Sequence, residues 1–272
     1  LKKSGVTDLF VNVAGAGFAH YPSSILPRSK IYTEEGDQLA KCISAARGSG
    51  VRVHAWVLCF TGARSTPGRM DVFSRKGWRL KNKAGKLTEY LNPSIPEVRA
   101  YVLSAIEEIV AKYPVSGVHL DFVRWGDSSV KPANASTYVT KFVSDARRKV
   151  ARPCWLTAAV YGAYPQCVSS VGQNWTVWVD SNFVDYIVPM DYTDSTLRFT
   201  ELLVQQASTK TRARKTIVGI GVTANESRLD ARKTIDQINL TRRLGFAGNA
   251  LFDLDVTLEK KILPYLSLGV WK

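Results

Sequence analysis

Short apolar segments rich in β-branched residues alternate along this chain with longer segments whose apolar residues follow a helical period. The clearest helical pattern covers residues 98–113, where apolar side chains recur at i, i+3, i+4 and i+7 between Pro96 and Pro114. The same criteria predict further helices at residues 37–47, 136–150, 197–208, 229–244 and 258–266. They predict strands at residues 6–13, 51–60, 155–161, 185–192, 216–222 and 248–255, and one more within 115–127.

Strands that alternate with helices of this length are typical of a parallel sheet with right-handed crossovers. The pattern therefore predicts an α/β fold, a single TIM (β/α)8-type barrel over residues 1–272. It contains seven strands, where such a barrel has eight. Because residues 1–5 look like the end of a helix, we expect the first strand to be missing before residue 1. The alternative is that the tail at residues 267–271 returns to fill the gap.

In the strand predicted within residues 115–127, the two polar side chains of residues 118–123 lie on the same face. Alternation places Val118 and Leu120 on one side and His119 and Asp121 on the other. In a closed parallel barrel the outer face packs under helices, and the inner face points into a lumen that opens at the carboxyl ends of the strands. Active sites of TIM barrels lie at that end, so Asp121 is predicted to be a carboxylate at the barrel mouth.

The net charge of the chain favours an anionic partner but does not identify it. The chain has 37 Lys and Arg against 23 Asp and Glu, a net charge of +14. This balance favours association with an acidic polysaccharide, an anionic envelope surface or nucleic acid, and a solvated basic surface is an equal alternative. Basic residues do not form a stripe interleaved with aromatics, so we expect no specific nucleic-acid binding. The long basic segment at residues 61–92 is predicted to be a substrate-binding excursion.

Five segments, in this order, resemble the glycosyl-hydrolase-like 10 family. They are residues 21–27 (YPSSILP), 53–56 (VHAW), 90–99 (YLNPSIPEVR), 117–121 (GVHLD) and 185–192 (DYIVPMDY). The resemblance covers nearly the whole chain and implies a TIM-barrel fold. It also implies hydrolysis of a polysaccharide, since a bacterial member cleaves cell-wall glycan strands that have lost their peptides, and a related barrel hydrolyses partly deacetylated poly-N-acetylglucosamine.

Two positions differ from the family pattern. Members often carry a second Asp directly after the position of Asp121, where this chain has Phe122, and commonly an Arg where it has Ala14. Both positions are expected to lie near the sugar. They leave open a second interpretation, a catalytically inactive barrel that binds a glycan.

Cleavage of a glycosidic bond uses an acid that protonates the leaving oxygen and a second carboxylate that acts as nucleophile or activates water. Asp121 is the first candidate, and Arg124 nearby is expected to keep it ionised or to form a purely structural ion pair with it. Asp191 is the second candidate, although parity places it on the face opposite Met190 and Tyr192, a pair that resembles the Met-x-Tyr of family 18 chitinases. Other acids within reach, or serving as helix caps, are Asp127, Asp253 and Asp255.

The expected binding residues are aromatic or polar side chains near the carboxyl ends of the strands, where rings can stack on sugars. They are Asn12, His54, Trp56, Arg124, Trp125, Tyr161, Tyr192 and Phe252. Packing in the barrel core is the alternative for the aromatics, and for His119 a core role is preferred. We expect no cofactor and no metal, because the chain has only three histidines and no carboxylate at ligand spacing.

The cellular location of the protein is predicted from its expected substrate. No apolar run reaches the length of a membrane-spanning helix, about 18 residues. An enzyme of wall or matrix glycans is expected outside the cytoplasm, either extracellular or in the cell envelope, although the chain carries no export signal.

Overall fold

The computed structural model describes residues 1–270 as a mixed α/β fold. Within these residues the strands are β1 (Asp8–Gly15), β2 (Phe18–Ala19), β3 (Arg52–Leu58), β4 (Arg79–Lys81), β5 (Leu87–Leu91), β6 (Gly117–Asp121), β7 (Trp155–Val160), β8 (Tyr186–Pro189), β9 (Ile217–Gly221) and β10 (Gly248–Phe252). The helices are α1 (Lys30–Glu35), α2 (Gln38–Ala46), α3 (Arg69–Arg75), α4 (Pro96–Lys112), α5 (Ala135–Lys149), α6 (Gln166–Val171), α7 (Trp175–Asp180), α8 (Thr196–Gln206), α9 (Lys210–Arg214), α10 (Ala231–Arg243) and α11 (Leu263–Leu266). A 3₁₀ turn covers Lys2–Ser4 and a π-helical turn covers Leu258–Ile262.

The parallel strands follow one another around the sheet in chain order. Strands β1, β3, β6, β7 and β8 are hydrogen-bonded in that order, and β9 pairs with β10. Parallel bridges from Ile187 to Thr216 and from Met190 to Gly219 connect β8 to β9. The sheet curls until Phe252 at the end of β10 lies 6.1 Å from the Trp56 ring on β3. This arrangement confirms the predicted TIM-barrel fold.

The described residues contribute seven of the parallel barrel strands. The short strand β2 folds back antiparallel onto the end of β1, pairing Ala19 with Ala14. At the other end of the chain, residues 267–270 form turns, so the described part of the tail adds no strand. Trp271, which the alternative prediction used, lies outside the described residues. The predicted strand before residue 1 stays a prediction.

Helix α4 shows how the apolar pattern determines the outer layer. Its buried residues include Val98, Val102, Ile106 and Ile109, the positions that the helical period selects. Full burial of each such side chain contributes about 1.5–3 kcal/mol relative to exposure. Pro96 is tolerated at the start of the helix because the first N–H groups have no partner within the helix. Among residues 1–270, no helix has both the length and the apolar content that crossing a bilayer requires.

The YPSS motif at residues 21–24 is held in place by one carboxylate of α4. Glu108 accepts hydrogen bonds from the Tyr21 hydroxyl (3.0 Å), the Ser23 hydroxyl, and both the hydroxyl and the backbone N–H of Ser24 (2.7 Å each). Burial raises the pKa of Glu108, but the hydrogen bonds from Lys112, Ser23 and Ser24 together lower it to about 2. The motif therefore has a structural role, because it ties an irregular segment to the outer helix layer.

The inward-facing side chains fill the lumen in layers. At the amino ends of the strands, His54 Nε2 lies 2.6 Å from Asp8 Oδ1. Above this pair, Phe10 stacks on His119 at 4.6 Å between ring centroids, and His119 Nδ1 lies 2.8 Å from the Thr157 hydroxyl. The layer nearest the carboxyl ends contains the polar and aromatic groups of the candidate site. The lower layers close the barrel from below, so this site is a shallow mouth over a packed core.

The basic excursion at residues 61–92 contains helix α3 and the β4–β5 hairpin, which the sequence pattern did not resolve. The hairpin is fixed to the chain that follows β6. Val130 donates its N–H to the Lys81 carbonyl at 2.9 Å, and Asn82 forms an antiparallel bridge with Ser129. These backbone bonds place the hairpin beside the segment that carries Asp121 and Arg124.

Candidate active site

Asp121 is the last residue of β6 and is held at both carboxylate oxygens. Oδ2 accepts a hydrogen bond from Trp56 Nε1 at 3.1 Å, and Oδ1 accepts the backbone N–H of Phe122 at 2.6 Å. Arg124 Nη1 lies 3.7 Å from Oδ1, close enough for an ion pair but too long for a hydrogen bond. The Asp121 side chain keeps 9% of its surface exposed. It is therefore oriented by fixed donors and still reaches the lumen surface.

The environment of Asp121 shifts its carboxyl towards the protonated form. Burial raises the pKa of this carboxyl, and the opposing effects of Arg124, the Phe122 N–H and Trp56 do not cancel the increase. The sequence had suggested that Arg124 keeps the group ionised, but the effect of burial is larger. A carboxyl with a raised pKa is suited to giving up a proton.

Aromatic rings form one wall beside this carboxyl. Phe252 lies 6.1 Å from Trp56 and stacks on Tyr192 at 5.3 Å with an interplanar angle of 14°. All three rings are partly exposed. Burial raises the pKa of Tyr192 well above its usual range, and the charge of Asp121 adds to the increase, so its hydroxyl stays a proton donor at neutral pH. Flat apolar faces with a hydroxyl at the edge can bind a sugar ring.

The residue after Asp121 has an unusual backbone. Phe122 has φ = 48°, in the left-handed region, which costs a non-glycine residue about 1–3 kcal/mol. This conformation accompanies the short bond from its N–H to Asp121. The Arg124 guanidinium lies over the Phe122 ring at 4.2 Å and over the Tyr161 ring at 4.9 Å. Arg124 is thus held mainly by stacking on rings.

A second acid lies on the rim on this side. The exposed Asp127 accepts a hydrogen bond from the Tyr161 hydroxyl at 2.9 Å. Tyr90 of β5 packs 6.4 Å from the Phe122 ring, and its pKa is raised by burial and by the charge of Asp127. Tyr90 was not among the predicted site residues. The sequence did contain one sign of a role for Tyr90. The residue begins the motif at residues 90–99 and lies inside the segment that was predicted to bind substrate.

Comparison with known proteins places this chain in a family. The model of the family described as "Glycosyl hydrolase-like 10" matches residues 1–159, more than half of the 272 residues. The chain belongs to the glycosyl hydrolase-like 10 family. The matched region includes β1, β3 and β6, and therefore Asn12, Trp56 and Asp121.

The relatives of this family member share the fold more than the sequence. Glycosyl hydrolase DigH of Escherichia coli is 28% identical over a match that covers 44% of this chain and 31% of DigH, so the chain spans less than a third of that relative. The PgaB (BpsB) glycoside hydrolase domain from Bordetella bronchiseptica superposes with a TM-score of 0.76 at 14% identity, covering 98% and 89% of the two chains. The chitinase-like agglutinin from Robinia pseudoacacia gives 0.60 at 12% identity, covering 100% and 96%.

Most of the predicted residues of this glycosyl hydrolase-like 10 chain meet at the mouth. Trp56, Arg124, Tyr161, Tyr192 and Phe252 border the opening around Asp121, as the contacts above show. Asn12 lies beside Trp56 in the strand register and is partly exposed, with its Nδ2 3.4 Å from the Trp56 carbonyl. This long hydrogen bond uses one of the two N–H groups of the amide, so the side chain has further donor and acceptor capacity for a ligand hydroxyl.

His54 and Trp125 lie elsewhere. His54 is fully buried in the lowest lumen layer, where it pairs with Asp8, and cannot reach a sugar from there. Trp125 is 2% exposed and donates its Nε1–H to the Ala135 carbonyl at 3.0 Å, packed against Gly172. Trp125 sits past the end of β6, where strand alternation no longer determines direction, and it turns outward under α5. We therefore assign both residues to the core.

Asp191 lies behind the sheet. It is 0% exposed, and both of its oxygens lie 2.9 Å from Gln206 Nε2 of α8. A Cβ at Gly162 would come within 1.9 Å of Asp191 Oδ1, so the carboxyl is packed against backbone on its other side. Strand alternation predicted that Tyr192 points inward and Asp191 outward, and the structure has this arrangement. Asp191 is not retained as a second catalytic acid.

The two acids that follow β10, Asp253 and Asp255, lie in different environments. Asp253 is exposed, accepts a hydrogen bond from the Thr223 hydroxyl at 2.8 Å, and lies close enough to Tyr192 for its charge to raise the pKa of that tyrosine. Asp255 accepts the Leu258 N–H at 2.8 Å, which is a helix-cap contact. The exposed Glu226 also raises the pKa of Tyr192 through its charge, so Asp127, Asp253 and Glu226 are the rim acids available to a bound glycan.

Proposed function

We propose that this protein is a glycoside hydrolase that cleaves the O-glycosidic bond of a polysaccharide, an amino-sugar polymer of a cell envelope or matrix, with Asp121 as the proton donor. The observation that carries the proposal is the strand-end carboxyl itself. Asp121 is oriented by two hydrogen bonds, has a raised pKa and adjoins a wall of partly exposed rings. Membership of a glycosyl hydrolase-like family supports the same activity.

The geometry supports a defined sequence of events. A sugar ring packs against Trp56, Phe252 and Tyr192, and the Tyr192 hydroxyl donates a hydrogen bond to it. The glycosidic oxygen then meets the protonated Asp121, which transfers its proton as the bond to the anomeric carbon breaks. The resulting carboxylate is stabilised by the donors already in place, Trp56 Nε1 and the Phe122 N–H.

The second role is attack on the anomeric carbon, and there are two candidates for the group that performs it. One is a rim carboxylate, Asp127, Asp253 or Glu226, acting as base or nucleophile. The other is the substrate, because some hydrolases of amino sugars are substrate-assisted and need no second carboxylate as nucleophile. Assays of Asp127→Asn, Asp253→Asn and Glu226→Gln separate them. A loss of turnover of about 100-fold or more in one variant assigns the role to that acid, and near-normal rates in all three assign it to the substrate.

The direct test is a cleavage assay on defined glycans. The purified chain is incubated with β-1,4-linked N-acetylglucosamine pentamers, partly deacetylated pentamers and isolated peptide-free cell-wall glycan strands, and the products are separated by chromatography and mass spectrometry. We expect new reducing ends to appear with at least one of these amino-sugar polymers. If all three stay intact at enzyme concentrations near those of the substrate, the hydrolase proposal is wrong.

Trp56→Phe tests the role of the indole bond to Asp121. The phenyl ring keeps the apolar wall but removes the donor to Oδ2, and a hydrogen bond to a charged group contributes about 1.5–3 kcal/mol. Without it the carboxylate form is less stable, so the pKa of Asp121 rises. Since the protonated form is the active one, the alkaline limb of the pH–rate profile should move to higher pH by about one unit. Trp155→Phe, at the amino end of β7, is the control and should leave the limb in place.

A glycan-binding barrel without turnover is the second candidate, and two positions favour it. Phe122 replaces the second Asp that family members often have, and Ala14, where Arg is common, is fully buried opposite β2. The fold is also that of a chitinase-like agglutinin. This candidate predicts glycan binding by calorimetry and no new reducing ends with any polymer.

The proposed location follows from the proposed substrate. A hydrolase of envelope or matrix glycans acts at an extracellular or envelope site, and a net charge of +14 would hold it on an anionic surface there. Fractionation of the producing cells with an antibody to this chain tests the location. Recovery of the protein only from the cytosol would contradict it.

A further inference from the structure

The amino ends of the barrel strands form a strongly basic face, at the opposite end of the barrel from the mouth. The last turns of the helices that precede these strands, together with the connections from them to the strands, contain 13 basic and two acidic side chains. The segments are residues 1–7, 44–51, 110–116, 147–154, 178–185, 212–216 and 241–247.

The connections at the mouth have the opposite balance, with the basic excursion after β3 left out. They contain four basic and seven acidic side chains. These connections are residues 16–29, 122–134, 161–165, 190–195, 222–230 and 253–257. Much of the positive charge of the chain is therefore directed away from the mouth.

A cleft in the basic face is lined by charged and aromatic side chains, and we call it the basal cleft. Its volume is about 510 Å³, within the range of about 300–1,000 Å³ that is typical of ligand sites. Trp155 at the start of β7 and Tyr186 at the start of β8 line it, with ring centroids 4.8 Å apart. The cations of its lining are Arg152, Arg214 and Lys215.

Asp185 is the acid among the described residues that line the basal cleft, and it is already paired. Its Oδ2 lies 2.6 Å from Arg147 Nη1 and accepts the backbone N–H of Leu156 at 2.8 Å. Its Oδ1 lies 3.2 Å from Arg152 Nε. Two guanidinium groups therefore share one carboxylate, and a net positive charge remains.

The other two cations of the cleft have no acidic partner. The exposed Arg214 side chain takes part in no hydrogen bond or ion pair within residues 1–270. Lys215 Nζ donates to the Asn182 side-chain oxygen, a neutral acceptor that leaves the lysine charge in place. The helix dipole favours cations at helix C-termini in general. It does not explain a ligand-sized cleft whose cations lack anionic acceptors.

The rings of the cleft are poorly placed for stacking on a ligand. The Arg52 guanidinium lies over the Trp155 ring at 4.2 Å and is fixed there by Asp8 at 2.6 Å. The Tyr186 ring is inclined by 54° to that of Trp155. Single-stranded nucleic acids gain much of their affinity from bases that stack on open aromatic faces. A ligand of the basal cleft is therefore held mainly by ionic contacts.

We propose that the basal cleft binds a phosphate-bearing polymer, a chain of polyol units joined by phosphodiesters, through Arg152, Arg214 and Lys215. An arginine binds two phosphate oxygens as a fork and a lysine binds as a point charge, and the cleft offers both. A polyol chain needs no ring to stack on. The inference concerns the end of the barrel opposite the mouth and does not depend on the proposed hydrolase function. A protein held in this way keeps its mouth turned away from the polymer.

The test measures binding of a glycerol phosphate hexamer to the full chain by calorimetry at low and at high salt. A galacturonate hexamer serves as the carboxylate comparison, and a thymidylate hexamer as the nucleic-acid comparison. We expect the glycerol phosphate hexamer to bind about tenfold more tightly than either of them. Its affinity should fall as salt rises, because the contacts are ionic.

Variants locate the bound polymer. R152Q/R214Q/K215Q removes the cations of the cleft and should weaken binding by about 30-fold or more, since hydrogen bonds to charged groups are lost. R214Q alone should weaken it by about threefold or more. Because Arg214 has no partner within residues 1–270, this single change breaks no contact of the fold.

The control R232Q/K233Q/K260Q removes the same charge from exposed side chains outside the basic face. It should leave the affinity within about twofold of the wild-type value. A saturating concentration of the N-acetylglucosamine pentamer, which is directed to the mouth, should not displace the glycerol phosphate hexamer.

Four results would overturn the inference. They are no binding of the glycerol phosphate hexamer at either salt concentration, equal or tighter binding of either comparison hexamer, an affinity that survives in R152Q/R214Q/K215Q or falls equally in the control, and displacement by the pentamer. Binding to phosphatidylglycerol vesicles without binding to the hexamer would assign the cleft to a lipid surface instead. Every readout is binding at the basal cleft, so a failure of the hydrolase assays does not affect this inference, and its failure does not affect them.

Discussion

Asp121→Asn should lower turnover of the glycan by about 1,000-fold and leave its dissociation constant within about threefold of the wild-type value. The amide keeps the size of the carboxyl and can still accept from Trp56 or from the Phe122 N–H. It cannot deliver a proton to the glycosidic oxygen. Single-turnover rates with the best polymer of the panel and calorimetric titration of the same polymer provide the two measurements.

The control for this variant is Asp236→Asn, which changes an exposed carboxylate on α10 in the same way. It should retain full turnover. A turnover of the Asp121→Asn protein close to that of the wild type would remove Asp121 from the chemistry and reduce its role to an ion pair with Arg124. A loss of binding together with turnover would instead indicate that the carboxylate holds the sugar.

The second large effect concerns stability and the buried Asp191. Burial raises the pKa of this carboxyl from 3.8 to about 7, with Gln206 and Arg198 opposing. Because the folded protein holds the proton more tightly than the unfolded chain, the contribution is fully present below about pH 4 and is lost as the pH rises through about 7. The loss amounts to roughly 4 kcal/mol of the free energy of unfolding.

Asp191→Asn removes this titration. The variant should show a flatter dependence of unfolding free energy on pH between about 4 and 8, and should be more stable than the wild type at the upper end. Urea denaturation at a series of pH values measures both. Asp145→Asn, which changes a carboxylate in a surface ion pair on α5, should shift stability by less than about 1 kcal/mol at any of these pH values. Parallel curves for the wild type and Asp191→Asn would show that Asp191 does not titrate in this range.

The fold could be predicted because its determinants are periodic. The helix predicted at residues 98–113 is observed as Pro96–Lys112, and the strand within 115–127 as Gly117–Asp121. The β4–β5 hairpin was not predicted, because its strands are three and five residues long, too short to show a clear period. Its position depends on backbone bonds to residues distant in sequence, which no local pattern records.

The site could be predicted only as far as strand alternation applies. Asp121 and Tyr192 follow the strand alternation, and the side chains of both face the barrel mouth. Trp125 lies past the strand end, where a left-handed residue at 122 has already changed the chain direction. His54 faces the lumen as predicted but at the wrong depth, because parity gives the face of a residue and not its layer. The raised pKa of Asp121 depends on the packing around it, which the sequence order does not state.

The contact of Phe122 with Asp121 runs through its backbone, while its contact with Arg124 runs through its ring. Any residue that accepts the left-handed conformation would supply the same N–H to the acid, and each would present a different group to the incoming chain. Position 122 can therefore diverge among relatives and alter which polymer is accepted, while the proton donor next to it keeps its orientation.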